Sequence, residues 1–219
     1  MAKKVKKVSK IKTKKKIWYK VIAPKLFGHK EIGESYLTTP EIALNRKLKV
    51  NLKELSGNVK DQNIHMKFKI SKIDGSNLQT DIIGYQLAPS FTKRMVRKNT
   101  DCLKDQFSFK TKDNKAVILK SIVVTRNKTQ RSVRTAIRAK IEKMFKEEIS
   151  TMDFASFVQK LVTYKVQGSF KKKLSKIYPI KEVAVRMLIL QDKKRKASVE
   201  ETVEQETPEP AAEETPSEE

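Results

Sequence analysis

A regular alternation of apolar and basic residues constrains the fold more than any other feature of this sequence. Between Ile64 and Ile73 the apolar side chains occupy alternate positions and lysines stand between them, as Ile64, Met66, Phe68 and Ile70 with Lys67 and Lys69. Successive side chains of a β-strand point to opposite faces, so this pattern predicts a strand with one buried face and one basic face. Half-buried strands are typical of antiparallel sheets, and the sequence therefore predicts such a sheet with a basic outer surface.

Further strands are predicted on both sides of this segment. Asp74-Gly75 and Asp113-Asn114 supply tight turns between alternating segments, and each therefore predicts a β-hairpin. In the closing strand, alternate residues are expected to share one face, namely Val183, Val185, Met187 and Ile189. The predicted strands are Trp18–Ile22, Lys47–Leu52, Ile64–Ile73, Leu78–Leu87, Gln106–Lys112, Ala116–Val124 and Val183–Leu190.

A helical period replaces the alternation in the last third of the sequence. A long helix is predicted over Gln130–Ile149, with Thr129 as its N-cap. A second helix is expected from Asp153, and a third around Phe170–Ile177 that ends before Pro179. A short helix is also expected to start at Pro89 and Ser90. The packing face of the long helix is expected to hold Val133, Ile137, Ile141, Met144 and Phe145.

Charge is distributed unevenly along the chain. The 219 residues include 49 Lys and Arg against 25 Asp and Glu, which gives a formal net charge of +24 and a pI of about 10.0. Residues 1–16 contain nine lysines and no acid, whereas residues 197–219 contain nine glutamates and no base. Like charge at this density opposes compaction. We therefore expect a disordered basic arm at 1–16, a globular domain at 17–192 and a disordered acidic tail at 193–219.

Several classes of function lack the residues that they need. The one cysteine, Cys102, cannot form an intrachain disulfide, which is typical of a reducing cytoplasm. No apolar run approaches the length of a membrane span, and no apolar segment of a signal peptide follows the N-terminal lysines. His29 and His65 have no Cys or His at ligand spacing, and phosphate-loop, nucleophile-elbow and zinc-protease motifs are absent. We expect no catalytic residue, metal, cofactor, membrane contact or small-molecule substrate.

Basic residues are spread over many predicted elements. A protein that recognises duplex DNA usually concentrates its cations on one recognition helix. Dispersed cations instead suit RNA that surrounds a protein on several sides. Trp18 and Tyr19 directly follow the lysine-rich arm and are placed for stacking. For any single lysine, a solvated charge is an equally consistent interpretation. The predicted RNA-binding residues are Lys14, Lys15, Lys16, Trp18, Tyr19, Lys25, Arg46, Arg94, Arg97, Lys98, Arg126, Lys128, Arg131, Arg134, Arg138, Lys171, Lys172 and Lys173.

Three of these arginines are predicted to act together on the long helix. At 100° per residue, Arg131, Arg134 and Arg138 fall within roughly 60° of one another, beside the apolar face. One side of this helix is therefore expected to pack on the sheet while the neighbouring side presents guanidinium groups to RNA.

Several stretches, in the same order, are similar to one known family. Trp18–Pro24 resembles the family's N-terminal W-Y-x-V-x-A-P block. Arg46–Leu55 resembles its R-x-x-E-V-S-L-x-D-L signature, with Lys49 in place of Glu and Asn51 in place of Ser. Met95–Lys98, Lys110–Asp113 and Ile177–Arg186 resemble its M-V-K-K, K-T-x-D and I-Y-P... V-x-V-R stretches. The family is the small ribosomal subunit protein family S3Ae, also called eS1, of archaea and eukaryotes.

The resemblance implies an archaeal or closely related protein with an α+β fold, in which an antiparallel, barrel-like β-sheet is flanked by helices. It also implies a structural, non-enzymatic role in the small ribosomal subunit, where the protein binds and stabilises folded rRNA on the platform during assembly and translation. The implied partners are small-subunit rRNA and neighbouring platform proteins, with mRNA near by at the exit.

Two other classes of protein share part of this pattern. A sequence-independent chromatin or nucleoid protein would have the same positive charge and lysine-rich arm, but it would prefer duplex DNA. An RNA-processing enzyme would need a pocket of convergent acids or histidines, and the sequence supplies none. The charge pattern alone leaves the chromatin alternative open.

Overall fold

The alternating segments form strands, and the computed structural model, which describes residues 15–191, contains eight of them in that range. In chain order they are β1 (Ile17–Ile22), β2 (Glu31–Leu37), β3 (Lys47–Asn51), β4 (Ile64–Asp74), β5 (Asn77–Leu87), β6 (Cys102–Lys110), β7 (Ala116–Thr125) and β8 (Ile180–Leu190). Strand β2 was not predicted, because only Leu37 in it is buried and no alternation marks it. The expectations for residues 1–14 and 192–219, including the contact by Lys14, lie outside the described residues.

Five α-helices in the described range accompany the strands: α1 (Leu52–Ser56), α2 (Pro89–Met95), α3 (Arg131–Thr151), α4 (Phe154–Val162) and α5 (Lys165–Leu174). Helix α1 was not predicted, and Leu52 belongs to it and not to the preceding strand. Asn51 ends that strand because its side-chain Oδ1 accepts a hydrogen bond from the Lys53 N–H at 3.1 Å, which caps the new helix. Helix α5 begins earlier than expected and ends at Leu174, before Ile177.

The strands form one branched sheet with β5 at its centre. One edge of β5 pairs along its length with β4, which in turn pairs with β3. The other edge of β5 is shared, because its first residues pair with β1 and its last residues pair with β8. The order across this path is β2-β1-β5-β8-β7-β6, and the sheet is not closed. The α+β prediction is therefore confirmed, while the barrel-like closure is not, and the β1–β5 pair is parallel where the prediction was antiparallel.

Helices α3, α4 and α5 bury their apolar residues against the sheet and one another. Phe145 on α3 is 1% exposed, and its ring lies 4.7 Å from Phe170 on α5 and 6.3 Å from Phe107 on β6, between ring centroids. Full burial of a side chain such as Phe145 or Phe170 stabilises the fold by roughly 1.5–3 kcal/mol. A second, smaller core cluster lies under β1 and β2 and contains Tyr19, Val21, Leu37, Ala43, Ile70 and Leu78.

Strand β8 departs from the predicted alternation. Lys120 pairs with Met187 whereas Ser121 pairs with Val185, so Arg186 is an extra residue in β8. Such a bulge shifts the facing of the residues that follow it. Val183 and Val185 are buried as predicted, but after the bulge Leu188 is buried in place of Met187 and Ile189. The single face predicted for Val183, Val185, Met187 and Ile189 is therefore wrong.

The start of α3 also differs from the prediction. Gln130 is the N-cap residue, and its side chain makes no capping hydrogen bond. Thr129, the predicted cap, instead donates from its N–H and its hydroxyl to Oδ2 of Asp101, at 2.7 and 2.8 Å. The threonine thus ties the loop before α3 to the loop before β6. In the part of the chain that the structure describes, no helix is long and apolar enough to cross a membrane.

Candidate nucleic-acid interface

An exposed aromatic pair lies beside a lysine at the start of the sheet. Trp18 on β1 stands directly opposite Tyr36 on β2, with ring centroids 4.8 Å apart. The two residues are 59% and 50% exposed. The Nζ of Lys16 lies 5.5 Å from the centre of the Tyr36 ring, which is a cation–π distance. Open ring faces beside an ammonium group can stack on an RNA base and neutralise a neighbouring phosphate.

Tyr19, predicted to act with Trp18, lies on the other face of β1. It is 9% exposed and belongs to the smaller core cluster, because neighbouring residues of a strand point to opposite faces. Its ring is therefore not available for stacking on RNA. The second exposed ring beside Trp18 is that of Tyr36 and not of Tyr19. The sequence prediction did not include Tyr36, because β2 shows no alternation that would have placed it opposite Trp18.

A cleft of about 380 Å³ lies between α2 and the start of β8. Phe91 and Arg94 line it from α2, and the Arg94 guanidinium lies 5.9 Å from the centre of the Phe91 ring and 3.2 Å from Oδ1 of Asn63, to which it donates. Arg97 and Lys181 also line the cleft. Lys181 was missed by the sequence prediction because it lies in a segment with little other charge. The cleft combines one ring, three cations and the carboxylate of Glu182, and its net positive lining suits a phosphate and its sugar or base.

The loop between β7 and α3 is held by Asp101. The hydrogen bonds from the N–H and hydroxyl of Thr129 lower the pKa of Asp101, and the charges of Arg134 and Lys128 act in the same direction. A lowered folded-state pKa means that this contribution to stability is complete above the unfolded-state pKa and is lost as the pH falls through the lower folded value. The anchored loop exposes Arg126 and Lys128, and Arg131 is exposed at the start of α3.

The predicted arginine stripe of α3 is divided by the structure. Arg131 is exposed, but Arg138 forms an ion pair with Asp105 on β6, with 2.9 Å between Nε and Oδ1. Arg134 is half-buried, and its Nε makes no hydrogen bond within the described residues. Arg138 therefore fastens α3 to the sheet, a role that the helical period could not reveal because it depends on a partner from another strand. Of the three, Arg131 is exposed and forms no ion pair with a residue of 15–191.

The remaining predicted cations are exposed but separate. Lys171, Lys172 and Lys173 form the last turn of α5, where positive charge also stabilises the helix dipole. Lys25 lies in a 3-10 turn after β1, Arg46 precedes β3, and Lys98 follows α2. No group of three or more His, Cys, Asp or Glu that could hold a metal ion is present within residues 15–191. The structure thus gathers some of the predicted residues into local groups and leaves the groups apart.

Comparison with known proteins identifies the family of this chain. The sequence profile of the ribosomal S3Ae family matches residues 3–193. The chain belongs to the ribosomal S3Ae family. This family membership confirms the predicted resemblance and makes the chain a ribosomal protein and not an enzyme.

Relatives of this S3Ae-family chain come from archaea, as the resemblance implied. The chain is 30% identical over 172 residues to the small ribosomal subunit protein eS1 of Methanothermobacter thermautotrophicus, covering 78% of this chain and 88% of the relative. It is 30% identical over 182 residues to the eS1 protein of Nanoarchaeum equitans, covering 83% and 92%. The eS1 protein of Saccharolobus islandicus is 29% identical over 174 residues, covering 80% and 84%.

Proposed function

We propose that this S3Ae-family protein is a structural constituent of the small ribosomal subunit, which binds and stabilises folded rRNA on the platform during assembly and translation. Its partners are small-subunit rRNA and neighbouring platform proteins, with mRNA near by at the exit, and it acts in the cytoplasm as part of the ribosome. The archaeal relatives, each called a small ribosomal subunit protein, support the subunit assignment.

One observation carries the RNA-binding part of the proposal: exposed cations lie on elements that are separate in the fold. They occur with the Trp18/Tyr36 pair on β1 and β2, in the α2 cleft, in the loop before α3 and at the end of α5. A DNA duplex contacts one face of a small protein, whereas folded RNA can contact several faces at once. Phosphate contacts of this kind set position and affinity and carry no sequence information of their own.

The proposed RNA-binding residues follow from their placement. Tyr19 is withdrawn because it is buried, and Arg138 is given a structural role because of its pairing with Asp105. Tyr36 and Lys181 are added. The described members are then Lys15, Lys16, Trp18, Lys25, Tyr36, Arg46, Arg94, Arg97, Lys98, Arg126, Lys128, Arg131, Arg134, Lys171, Lys172, Lys173 and Lys181.

The two charged ends of the sequence are proposed to act in opposite ways. The nine lysines of residues 1–16, Lys14 among them, supply further cations for phosphates. The nine glutamates of residues 197–219 are repelled by RNA and are proposed to point away from it. Neither proposal depends on the described part of the fold.

Competition filter binding separates the proposed function from the chromatin alternative. The full chain is bound to labelled small-subunit rRNA, folded in magnesium, and the complex is challenged with unlabelled folded rRNA or with duplex DNA of equal length. We expect folded rRNA to compete at a concentration at least about tenfold lower than DNA at the same salt, because dispersed cations reach more phosphates on a folded RNA. Equal competition, or a preference for DNA, would favour a chromatin or nucleoid protein instead.

A further inference from the structure

A second cleft lies on the opposite side of α2 from the cleft that Phe91 and Arg94 line. Its volume is about 430 Å³, and residues of α2, β6, β7 and β8 line it. Pro89 and Lys93 face it from helical positions i and i+4, which share one face of α2. At 100° per residue, this face points away from Phe91 and Arg94. The second cleft is called the Ile122 cleft below, after the buried residue at its base.

Three cations from three different elements surround the Ile122 cleft. Lys93 comes from α2, Lys104 from β6 and Arg186 from β8. All three side chains are exposed, and none of them forms an ion pair with a residue of 15–191. Among the described residues, no Asp or Glu lines the cleft. Its lining therefore carries three positive charges and no negative charge.

The acids that are nearest in the sequence to Lys104 and Arg186 have other surroundings. Asp105 follows Lys104 on β6, so its side chain lies on the other face of the sheet, where it pairs with Arg138 at 2.9 Å. Asp101 accepts both hydrogen bonds of Thr129. Glu182 lines the first cleft, beside Lys181. The charge of the Ile122 cleft is thus not balanced by these carboxylates.

The β-bulge in β8 places Arg186 at the cleft. Arg186 is the extra residue, with no register partner on β7. Val185 before it and Leu188 after it are both buried, whereas Arg186 is exposed. Bulges re-aim individual side chains and are frequent beside functional sites. The bulge therefore presents a guanidinium group at the cleft without disturbing the core beneath β8.

The base of the cleft is apolar. Ile122 is 1% exposed and stands directly opposite Lys104 in the register of β6 and β7, so the two side chains share a face of the sheet. Pro89 and the half-buried Val96 contribute further apolar lining from the side of α2. Ligand sites commonly combine an apolar lining with a few polar groups that fix orientation. Such a cleft can hold a sugar or base against its floor while the cations hold a phosphate.

We propose that the Ile122 cleft binds one nucleotide of rRNA, with its phosphate on Lys93, Lys104 and Arg186 and its sugar or base on the apolar floor. The inference rests on the proposed function and adds a site to it that the sequence prediction did not contain. Lys93 and Lys104 act as point charges, whereas the planar guanidinium of Arg186 can donate two hydrogen bonds to one phosphate.

The position of the cleft favours RNA over an acidic protein segment as its occupant. Lys93 and Arg94 are consecutive residues of α2, and they line the two clefts on either side of this helix. A single RNA strand that contacts the candidate interface at the first cleft can therefore continue over α2 into the Ile122 cleft. Contacts to phosphate and sugar carry no sequence information of their own, so the site accepts any nucleotide.

A charge-matched pair of triple variants tests the Ile122 cleft. The cleft variant combines Lys93→Gln, Lys104→Gln and Arg186→Gln. The control variant removes three exposed lysines of α3 that line none of these clefts, through Lys140→Gln, Lys143→Gln and Lys146→Gln. Both variants should melt within about 2 °C of the wild type, because the changed side chains are exposed and form no ion pair with a residue of 15–191.

Binding of full-length protein to folded small-subunit rRNA is then measured over a range of salt concentrations. We expect the cleft variant to bind at least about tenfold more weakly, because charge-assisted hydrogen bonds to a phosphate are lost. The magnitude of its log–log salt slope should fall by about 0.7–0.9, which corresponds to one phosphate contact. The control variant should keep the affinity and the slope of the wild type.

The outcomes separate this proposal from the proposed function. If the wild-type protein prefers folded rRNA but the cleft variant keeps the affinity and slope of the control variant, the cleft proposal alone is overturned. If the wild-type protein shows no preference for folded rRNA over duplex DNA, the proposed function fails and the cleft proposal fails with it.

Lysine acylation read by mass spectrometry tests the same cleft without any substitution. Saturating folded rRNA should protect Lys93 and Lys104 of the wild-type protein, while Lys140, Lys143 and Lys146 should react equally with and without RNA. Unchanged reactivity of Lys93 and Lys104, or equal protection of both sets, would overturn the proposal. Protection that is already complete in the RNA-free protein would assign the cleft to an acidic protein segment and would overturn it as well.

Discussion

Raising monovalent salt from 50 to 200 mM should weaken the binding of folded small-subunit rRNA by about a thousandfold or more. Each neutralised phosphate releases condensed counterions and contributes roughly 0.7–0.9 to the log–log slope, and six to ten contacts lead to a loss of about 10³–10⁵ over this range. The fold exposes enough cations for this number on β1, α2, the loop before α3, and α5. Affinity is measured by filter binding at five or more salt concentrations and constant magnesium.

The slope decides between dispersed and local contact. A magnitude below about 3 would mean that fewer than about five phosphates are neutralised, and the proposal of contacts from several elements would then be wrong. Duplex DNA of equal length is the control, and its slope should be smaller because it reaches fewer of these elements.

Gly84→Ala should be among the most destabilising single substitutions in the sheet. Gly84 lies on β5 where that strand pairs with both β4 and β8, and a Cβ there would overlap the carbonyl oxygen of Leu188 and lie 3.4 Å from Cα of Ile189. The obstructing atoms belong to the backbone, so β8 would have to move away from β5. We expect a loss of about 3 kcal/mol in the free energy of unfolding, at the upper end of the cost of overpacking.

Thermal melting checks this prediction against a matched glycine. A loss of about 3 kcal/mol corresponds to a fall of roughly 6–12 °C in melting temperature for a domain of this size. Gly168 is exposed on helix α5, and a Cβ added there would meet no heavy atom within 4 Å, so Gly168→Ala should stabilise the protein by about 0.5–1 kcal/mol. A melting temperature of Gly84→Ala within about 1–2 °C of the wild type would contradict the close approach of β5 and β8.

Local patterns predicted the elements better than they predicted how the elements meet. The alternation at Ile64–Ile70 and the helical period at Ile137–Phe145 both correspond to buried faces, because each pattern reflects one element packing on a core. The bulge at Arg186 and the parallel pairing of β1 with β5 left no signal, since both depend on strands that are distant in the sequence. Strand β2 lacked a signal because it lies at an edge of the sheet and buries little.

In the candidate interface, too, local sequence patterns predicted the exposed regions but not the contacts between elements. The sequence pattern of charged and aromatic residues correctly indicated exposed surface around Trp18. This residue is exposed beside the Tyr36 ring, over which the ammonium group of Lys16 lies. The roles of individual side chains depended on partners from other elements. Tyr19 is buried in the smaller core cluster, and Arg138 forms an ion pair with Asp105. The family resemblance, by contrast, was carried by ordered short motifs and is confirmed by the match over residues 3–193.

Sedimentation of a native cell lysate tests the central claim most directly. The protein is followed by immunoblot across a sucrose gradient, and the small-subunit fractions are then washed in high salt and sedimented again. We predict that the protein travels with the small subunit in a constant ratio to its rRNA and remains there after the wash, because contacts from several elements must break together in the assembled particle. Protein that stays at the top of the gradient, follows DNA-containing fractions, or is released by the wash would contradict its assignment as a constituent of the small subunit.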